Sequence, residues 1–194
     1  GVKLATQRIR DVLRAQNPQY IIRADIKSFY KSIPHHLLIQ DIKQHYHDEK
    51  VRAMLEQIII NPIETPRGYK NADHGIALRG PLSQFFSGIY LKPLDDAFET
   101  MDVSYFRYQD DILIFCKSKR QLNRCKQRMM AVLKERHLRL SRKKTRIGHI
   151  KTGFHFLGIN YPGTQTSDNT DVTQATERSV IQPSPDIKPA ELTG

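Results

Sequence analysis

Hydrophobic and polar positions along the first hundred residues follow two different periods, and these periods predict the order of helices and strands. Residues 3–16 carry apolar side chains at close to helical spacing, whereas the β-branched run YIIRADI over residues 20–26 is typical of a short buried strand. The same signals predict helices over 34–47, 48–60 and 81–101, the last with an internal proline, and a loop with prolines and glycines over 61–75.

The next sixty residues repeat strand-forming patterns around one more helix. Two strands flank Gln109–Asp111, an amphipathic helix follows over 118–137, and short strands with turns lie within 138–161. The apolar stripe of that helix consists of Leu122, Cys125, Met129 and Val132. This order of strand, helices, hairpin, helix and strand predicts an α+β fold, with helices packed on one face of a small antiparallel sheet.

Charge adds a functional expectation, because the 194-residue chain has a formal net charge of +11 and the positive excess lies before residue 160. A basic globular body favours a polyanionic partner, with nucleic acid ahead of an acidic membrane, and general solubility is the alternative explanation. No apolar run approaches the roughly 20 residues that span a bilayer, and no signal-peptide pattern opens the chain. The two cysteines suit a reducing compartment.

Three aspartates lie where predicted strands end or turn. Asp110 and Asp111 stand between the two strands of the hairpin, and Asp25 follows the apolar residues of the first strand. An ordinary turn explains the Asp-Asp pair by itself, since Asp is a favoured turn residue. If the sheet brings Asp25 near Asp110, the carboxylates repel by about 4 kcal/mol at about 4 Å unless a cation binds. Such oxygen ligands suit Mg²⁺, and with the basic body they indicate phosphoryl transfer on nucleic acid.

Four sequence blocks follow one another along residues 20–161: ADIKSFYKSI, GIALRGPLSQFFSGIYL, YQDD, and LSRKKTRIGHI with GFHFLGINY. In this order they resemble motifs A, B, C and D–E of a reverse transcriptase. Their residue patterns are similar to those of bacterial group II intron-like and retron-like enzymes. The resemblance implies a polymerase palm with a ferredoxin-like core. It also implies an RNA-directed DNA polymerase that extends a DNA or RNA primer with dNTPs on an RNA template.

The resemblance further implies a metal site and a catalytic site made of the same residues. Asp25, Asp110 and Asp111 would be the catalytic carboxylates. Two Mg²⁺ ions, or Mn²⁺ in their place, would bind these carboxylates and the carbonyl of Ile26.

Further roles follow from the resemblance for the nucleotide and the primer. Tyr30 would exclude ribonucleotides by a clash with the 2′-hydroxyl. The nucleotide-binding residues would be Tyr30, Arg79, Gly80 and Lys144, although a solvated surface arginine is an alternative for Arg79. The primer grip would consist of Phe154, Phe156, Leu157 and Gly158.

Three segments are expected along the chain. Residues 1–19 are interpreted as a helix left from the fingers–palm junction, residues 20–161 as the palm, and residues 162–194 as a disordered acidic tail or linker. Fingers and thumb would come from missing segments or from a second chain, so this fragment is expected to polymerise poorly alone. The bacterial cytoplasm is the expected location, with no membrane partner.

Two other functions remain open at this point. A non-polymerising scaffold descended from a reverse transcriptase would bind nucleic acid or serve in defence. An RNA-dependent RNA polymerase usually has an acidic residue at the position of Tyr30, which does not hold here. A second acidic pair, Asp95–Asp96, falls in the predicted helix 81–101, and there a solvated surface is the expected setting.

Overall fold

The residues that the computed structural model describes, 2–61, 63–65, 68–70, 72–77 and 80–163, form six α-helices, one 3₁₀-helix and eight strands. In chain order the helices and strands are α1 (Val2–Gln16), β1 (Tyr20–Asp25), α2 (Phe29–Ser32), α3 (His35–His45), α4 (Glu49–Ile60), β2 (Ile63–Thr65), β3 (Gly68–Lys70), α5 (Ser83–Glu99), β4 (Ser104–Tyr108), β5 (Asp111–Cys116), α6 (Lys119–Glu135), β6 (Arg146–His149), β7 (Phe154–Phe156) and β8 (Ile159–Tyr161). The 3₁₀-helix Ile150–Thr152 joins β6 to β7.

Four strands form the main sheet in the order β4–β5–β1–β6, and each neighbouring pair is antiparallel. Strand β1 lies inside the sheet and pairs with β5 over its full length, from Tyr20 opposite Cys116 to Asp25 opposite Asp111. Helices connect β1 to β4, and α6 connects β5 to β6, which gives the β-α-β-β-α-β order of the ferredoxin-like fold. The predicted α+β fold is confirmed.

Alternation along the strands divides the core between the two faces of the sheet. The face with Ile22, Ala24 and Ile112 packs against buried residues of the four helices α3 to α6. The opposite face, with Ile21 and Phe115, packs against α1 and the β7–β8 hairpin. The sequence predicted the helices of the first face, but it did not predict the cover of the second. By the same alternation, Asp25 and Asp111 belong to the second face.

Helix starts follow local capping chemistry. The side chain of Asp48 accepts hydrogen bonds from the backbone N–H groups of Lys50 and Val51, and α4 begins at the next residue after this cap. The hydroxyl of Ser118 accepts one from the N–H of Gln121 at the start of α6. These bonds satisfy donors that the first turn of a helix leaves free, so α4 and α6 begin close to the predicted positions.

Other boundaries differ from the prediction. The segment 61–75, predicted as a loop, contains the short β2–β3 hairpin. Helix α5 begins at Ser83 rather than at Pro81 and includes Pro93, as predicted. Arg79 and residues 164–194, which include almost all of the predicted tail, lie outside the described residues. Within the described ranges, no helix is both long enough and apolar enough to cross a membrane.

Candidate active site at the end of the sheet

The tip of the β4–β5 hairpin and the end of β1 bring three aspartates together. A two-residue loop, Gln109–Asp110, connects the strands, and Gln109 has φ 55°, a positive value at the first loop position that suits a tight hairpin. The register places Asp25 directly opposite Asp111. The N–H of Ile26 donates to the carbonyl of Asp110 at 3.3 Å, which extends the contact to the loop. The sequence predicted these residues, and the sheet pairing brings them together.

Two cations contact this group of carboxylates without neutralising it. The Nζ atom of Lys144 lies 3.2 Å from Oδ1 of Asp25, whose residue is only 7% exposed. The Nη2 atom of Arg23 lies 3.7 Å from Oδ1 of Asp111, beyond hydrogen-bond distance. That oxygen is buried and accepts no hydrogen bond from the described residues. The site therefore keeps an unpaired acceptor beside two other carboxylates.

Burial and mutual repulsion alter the acidity of the hairpin aspartates. Partial burial raises the pKa of Asp110, and the negative charge of Asp25 raises it further. Burial also raises the pKa of Asp111, while Arg23 opposes this rise and the charges of Asp110 and Asp25 add to it. Both shifts mean that the folded protein resists placing full negative charge here, which is the condition that a bound cation would relieve.

These residues suit a hard divalent cation by the chemistry of their donors. They offer carboxylate oxygens, including the unpaired Oδ1 of Asp111, as Mg²⁺ requires. Within the part of the chain that the structure describes, no three His, Cys, Asp or Glu side chains are already arranged to hold an ion. Lys144 contacts Asp25 and Arg23 faces Asp111, so a metal would have to displace one or both cations.

The turn before β6 holds Lys144 in place. The N–H of Ser141 donates to the carbonyl of Asp25 at 2.8 Å, and the N–H of Lys144 donates to the carbonyl of Ser141 at 3.2 Å. The guanidinium of Arg23 donates to the carbonyl of Lys144. These three hydrogen bonds hold the backbone of the turn that carries Lys144 against the end of β1, and the Lys144 side chain extends from this turn to Asp25.

Tyr30 lies on α2, just after the turn that follows β1. Ser28, the residue that ends this turn and caps α2, lies in the left-handed region at φ 50°. The Tyr30 ring is half-buried and packs edge-on against Phe29, with ring centroids 5.1 Å apart. Burial raises the pKa of its hydroxyl, a hydrogen bond with Ser87 opposes the rise, and the charge of Asp110 adds to it. Tyr30 thus lies within electrostatic range of the carboxylates.

Gly80 occupies a tight position before α5. A Cβ atom there would lie 3.1 Å from the hydroxyl of Ser83 and 3.3 Å from the Cβ of Ala77. Since the hydroxyl of Ser83 donates to the carbonyl of Ala77 at 2.5 Å, a larger residue would disturb a closed loop. The described contacts of Gly80 are therefore with its own loop.

The predicted primer-grip residues form the β7–β8 hairpin. Leu157 and Gly158 make its two-residue turn, both with positive φ, of 51° and 81°. Phe156 is buried, and Phe154 stacks on Tyr161 with ring centroids 4.6 Å apart. The two phenylalanines therefore belong to the core under the hairpin, whereas Gly158 in the turn is exposed.

Sequence reasoning missed a network behind the hairpin tip. The carboxylate of Asp95 in α5 accepts hydrogen bonds from Tyr105 Oη at 2.8 Å and from Arg107 Nε at 2.7 Å, and Nη2 of Arg107 also contacts it. Nη1 of Arg107 donates to the carbonyl of Gln109 at 3.0 Å. Burial raises the pKa of Tyr105, so its hydroxyl stays protonated and can donate. The expectation of a solvated Asp95 is wrong.

One signal could have indicated this network and the role of Arg23. Both arginines interrupt apolar strand sequence, Arg23 in YIIRAD and Arg107 in SYFRY. A charged side chain inside a strand of a buried sheet needs a partner, because an unpaired buried charge is strongly unfavourable. The sequence gives no indication of which carboxylates those partners are.

The four-stranded sheet with aspartates at the end of its hairpin defines the protein as a polymerase-palm type of α+β domain. Solved structures of the same fold include apo telomerase from Candida tropicalis, with a TM-score of 0.63 and 14% identity over 82% of this chain and 35% of that one. Telomerase from Candida albicans, in complex with the TWJ fragment of telomeric RNA, has a TM-score of 0.67 and 14% identity over 84% of this chain and 33% of that one. At these identities the likeness shows the fold.

The family model described as reverse transcriptase (RNA-dependent DNA polymerase) matches residues 3–161, and the chain therefore belongs to the reverse transcriptase family. Protein YkfC of Escherichia coli (strain K12) is 23% identical in an alignment 175 residues long, and the match covers 72% of this chain and 46% of that protein. The chain thus spans less than half the length of this curated relative and about a third of the telomerases. The predicted family is confirmed, and the group II intron-like or retron-like subclass stays a prediction.

Proposed function

We propose that this chain is the palm of an RNA-directed DNA polymerase, which extends the 3′-hydroxyl of a DNA or RNA primer with dNTPs on an RNA template. The observation that carries the proposal is the β1–β5 register, which sets Asp25 opposite Asp111 and next to the Asp110 loop. Membership of the reverse transcriptase family supports the reaction class. Fingers and thumb would come from other segments or from a second chain.

In this proposal Asp25, Asp110 and Asp111 would hold two Mg²⁺ ions, with Mn²⁺ as a substitute, and the carbonyl of Ile26 would add a neutral oxygen ligand. When bound, the ions supply the charge that activates the attacking hydroxyl and stabilises the leaving oxygen. Before a metal binds, Lys144 contacts Asp25. Its side chain is 65% exposed, so it can turn from Asp25 toward a nucleotide phosphate while its backbone stays anchored.

The nucleotide would lie between the carboxylates and Tyr30. Phe29 and Ser87 hold the Tyr30 ring, and a ring held in this way would exclude a ribose 2′-hydroxyl by close contact. Arg79 and Gly80 would line the same site from the loop before α5. The tight surroundings of Gly80 support a role in keeping that loop close-packed.

The β7–β8 hairpin would position the primer strand. The Leu157–Gly158 turn would contact the primer backbone, and Phe154 and Phe156 would support the turn from the core. Residues 1–19 would be the junction to the fingers, residues 20–161 the palm, and residues 162–194 a tail or linker. We place the protein in the bacterial cytoplasm, among group II intron-like and retron-like enzymes.

One observation favours a second candidate, a nucleic-acid-binding scaffold that does not polymerise. Lys144 and Arg23 already face Asp25 and Asp111, so part of the carboxylate charge is balanced without a metal. The basic body would then bind nucleic acid through phosphate contacts alone, and binding would fall steeply with salt.

Primer extension on an RNA template with dNTPs and Mg²⁺ separates the two candidates. The longest native reading frame that contains this chain should extend the primer, and Asp110→Asn should lower the rate by roughly a hundredfold to ten-thousandfold. Asp96→Asn is the matched control, because Asp96 pairs with Lys92 on the surface of α5. Nucleic-acid binding without any extension, unchanged by Asp110→Asn, would favour the scaffold, whereas equal extension rates for both variants would argue against a catalytic role of Asp110.

Tyr30 allows a separate test of sugar selection. Tyr30→Ala should let the enzyme incorporate ribonucleotides, because removal of the ring opens space for the 2′-hydroxyl, whereas Tyr30→Phe should keep discrimination within about twofold. The ratio of kcat/KM for dNTP and rNTP measures this effect. Ribonucleotide incorporation by the wild type would point instead to an RNA-dependent RNA polymerase.

A further inference from the structure

Arg23 lies on the same face of the sheet as the candidate active site, two residues before Asp25 in β1. Strand alternation puts Arg23, Asp25 and Asp111 together on the second face. In the register Arg23 lies between Leu113 of β5 and Arg146 of β6, because β1 pairs with both strands. A long side chain at this position can therefore reach the elements on both sides of β1.

The guanidinium of Arg23 contacts an element on each of those sides. Its Nη1 atom donates to the carbonyl of Lys144, in the turn before β6. Its Nη2 atom lies 3.7 Å from Oδ1 of Asp111, the first residue of β5. One planar group of fixed geometry thus connects the backbone that carries Lys144 to a carboxylate of the hairpin tip.

Arg23 and Asp111 do not complete their hydrogen bonds at this contact. Nε of Arg23 and Oδ1 of Asp111 are both buried, and neither has a hydrogen-bond partner among the described residues. Buried polar atoms without partners are unfavourable, and here the two atoms belong to adjoining side chains. By contrast, Nε of Arg107 lies 2.7 Å from the carboxylate of Asp95. The contact of Arg23 therefore leaves Asp111 with an oxygen that a ligand can still use.

Arg146, the neighbour of Arg23 in β6, has a different set of partners. Its guanidinium donates to the carbonyls of His149 and Gly153 and to the hydroxyl of Thr152. These bonds close the turn between β6 and β7, and none of the described contacts of Arg146 reaches a carboxylate. Of two arginines side by side in the sheet, one therefore holds a turn and the other faces the candidate active site.

The two cations beside the carboxylates differ in their freedom to move. The Lys144 side chain is 65% exposed, whereas that of Arg23 is 22% exposed. The lysine ammonium can leave Asp25 for water or for a phosphate. Arg23 has little open space to move into, and the Lys144 carbonyl also holds it. A cation at the carboxylates would therefore displace the Lys144 side chain and leave Arg23 beside Asp111.

We propose that Arg23 is a positioning residue, which stays beside Asp111 when a metal binds and fixes that carboxylate relative to the turn that carries Lys144. This inference rests on the proposed polymerase function. The positive charge of Arg23 lowers the affinity of the site for a cation, and its two contacts hold the geometry in which the site is active. Removal of Arg23 should therefore tighten metal binding and slow the reaction, which are effects of opposite sign.

The first measurement is a series of thermal melts in rising Mg²⁺, on the longest native reading frame that contains this chain and without nucleic acid or dNTP. The Kd for Mg²⁺ is fitted to the rise of Tm. Arg23→Gln should lower this Kd by about threefold or more, because a positive charge no longer opposes the ion. The matched control, Arg146→Gln, should lower Tm through the turn that it holds, but its Kd should stay within about twofold of wild type.

The second measurement is single-turnover primer extension at saturating Mg²⁺. Arg23→Gln should lower the rate by about tenfold or more, with the KM for dNTP within about twofold of wild type. Arg23→Lys keeps the charge but cannot make both contacts with one planar group. It should therefore keep the metal affinity of the wild type and still extend the primer slowly.

Unchanged or weaker Mg²⁺ binding by Arg23→Gln would overturn the proposal, and so would a loss of rate that excess Mg²⁺ restores. An Arg23→Gln variant as active as the wild type would also overturn it, while the proposed polymerase function would stand. A wild type whose Tm does not respond to Mg²⁺ would contradict the metal site itself. Circular dichroism at low temperature checks that each variant is folded before either measurement.

Discussion

Two Asp-Asp pairs lie near each other in sequence, and their surroundings differ. In α5, Asp95 contacts Arg107 and Tyr105, and Asp96 contacts Lys92 at 2.5 Å, so each carboxylate has a cation of its own. At the hairpin tip, Asp110 and Asp111 share their surroundings with Asp25, and the contacting cations are Lys144 and Arg23. The Asp-Asp pair in α5 thus has a counter-ion for each carboxylate, whereas the carboxylates at the hairpin tip outnumber the cations that contact them.

This difference separates the structural role of Asp95 from the functional role that we propose for the hairpin aspartates. The Asp95 network fixes α5 to β4 and, through Arg107, holds the carbonyl of Gln109. The described contacts of Asp110 and Asp111 include no such network between a helix and a strand. Burial and repulsion raise the pKa of both aspartates. Sites that concentrate unfavourable charge in this way are candidates for ligand binding, because the protein tolerates them at the expense of stability.

The largest change in stability should come from the satisfied pair. Asp95→Asn should lower the free energy of unfolding by about 3 kcal/mol, since it leaves the mostly buried Arg107 guanidinium without its counter-ion. Asp96→Asn, at an exposed pair, should change it by less than about 0.5 kcal/mol. Urea denaturation of both variants measures the difference, and similar midpoints would mean that Asp95 is not the structural member of its pair.

Arg107→Lys should have an intermediate effect, with a loss of about 1–2 kcal/mol. Lysine keeps the charge but cannot contact the Asp95 carboxylate and the Gln109 carbonyl with the same fixed planar group. If Arg107 positions the hairpin tip, primer extension should fall by more than the loss of folded protein explains, in kcat rather than in KM. A change confined to stability would leave Arg107 with a purely structural role.

The smallest effect should have the opposite sign. Asp110→Asn should raise the free energy of unfolding of the metal-free protein at neutral pH, by less than about 1 kcal/mol because the group is half-exposed. The folded-state pKa of Asp110 lies above its unfolded value, so its ionised form destabilises the fold above that pKa. The gain should vanish as the pH falls below the unfolded value, where both states are protonated.

Mg²⁺ should make the wild type more stable than Asp110→Asn, the reverse of the order expected without metal. A cation that binds only the folded wild type raises its stability by mass action, and Asp110→Asn should gain less from the same concentration. Thermal melts with and without Mg²⁺, at neutral pH, measure the two gains, and Asp96→Asn should behave as the wild type. Identical gains in all three proteins would argue against a metal site at the hairpin tip.

Local patterns predicted much of this molecule. The β-branched run of β1, the stripe of α6 and the two strands around Gln109–Asp111 are all determined by neighbours in sequence, and the structure places them within a few residues of the prediction. The register that sets Asp25 opposite Asp111 depends instead on the packing of both faces. Periodicity alone cannot supply that register.

Contacts between residues far apart in the chain also account for the features that could not be predicted from the sequence. The spacing of Ile9 in α1 predicted an amphipathic helix, but not which face of the sheet it would contact. Asp95 and Arg107 are twelve residues apart, and their contact depends on how α5 crosses β4. The primer-grip phenylalanines were assigned by motif, whereas their burial follows from the hairpin folding onto the second face.

The place of β1 inside the sheet also affects how the protein is made. Tyr20 pairs with Cys116 on one side and with His149 on the other, so both neighbours of β1 are translated long after it. A nascent chain that stops before residue 111 holds YIIRAD as an apolar strand with two open edges, a segment prone to aggregation. Such long-range pairing is also slow to form. We therefore expect the candidate active site to arise in one late step, after β6 has left the ribosome.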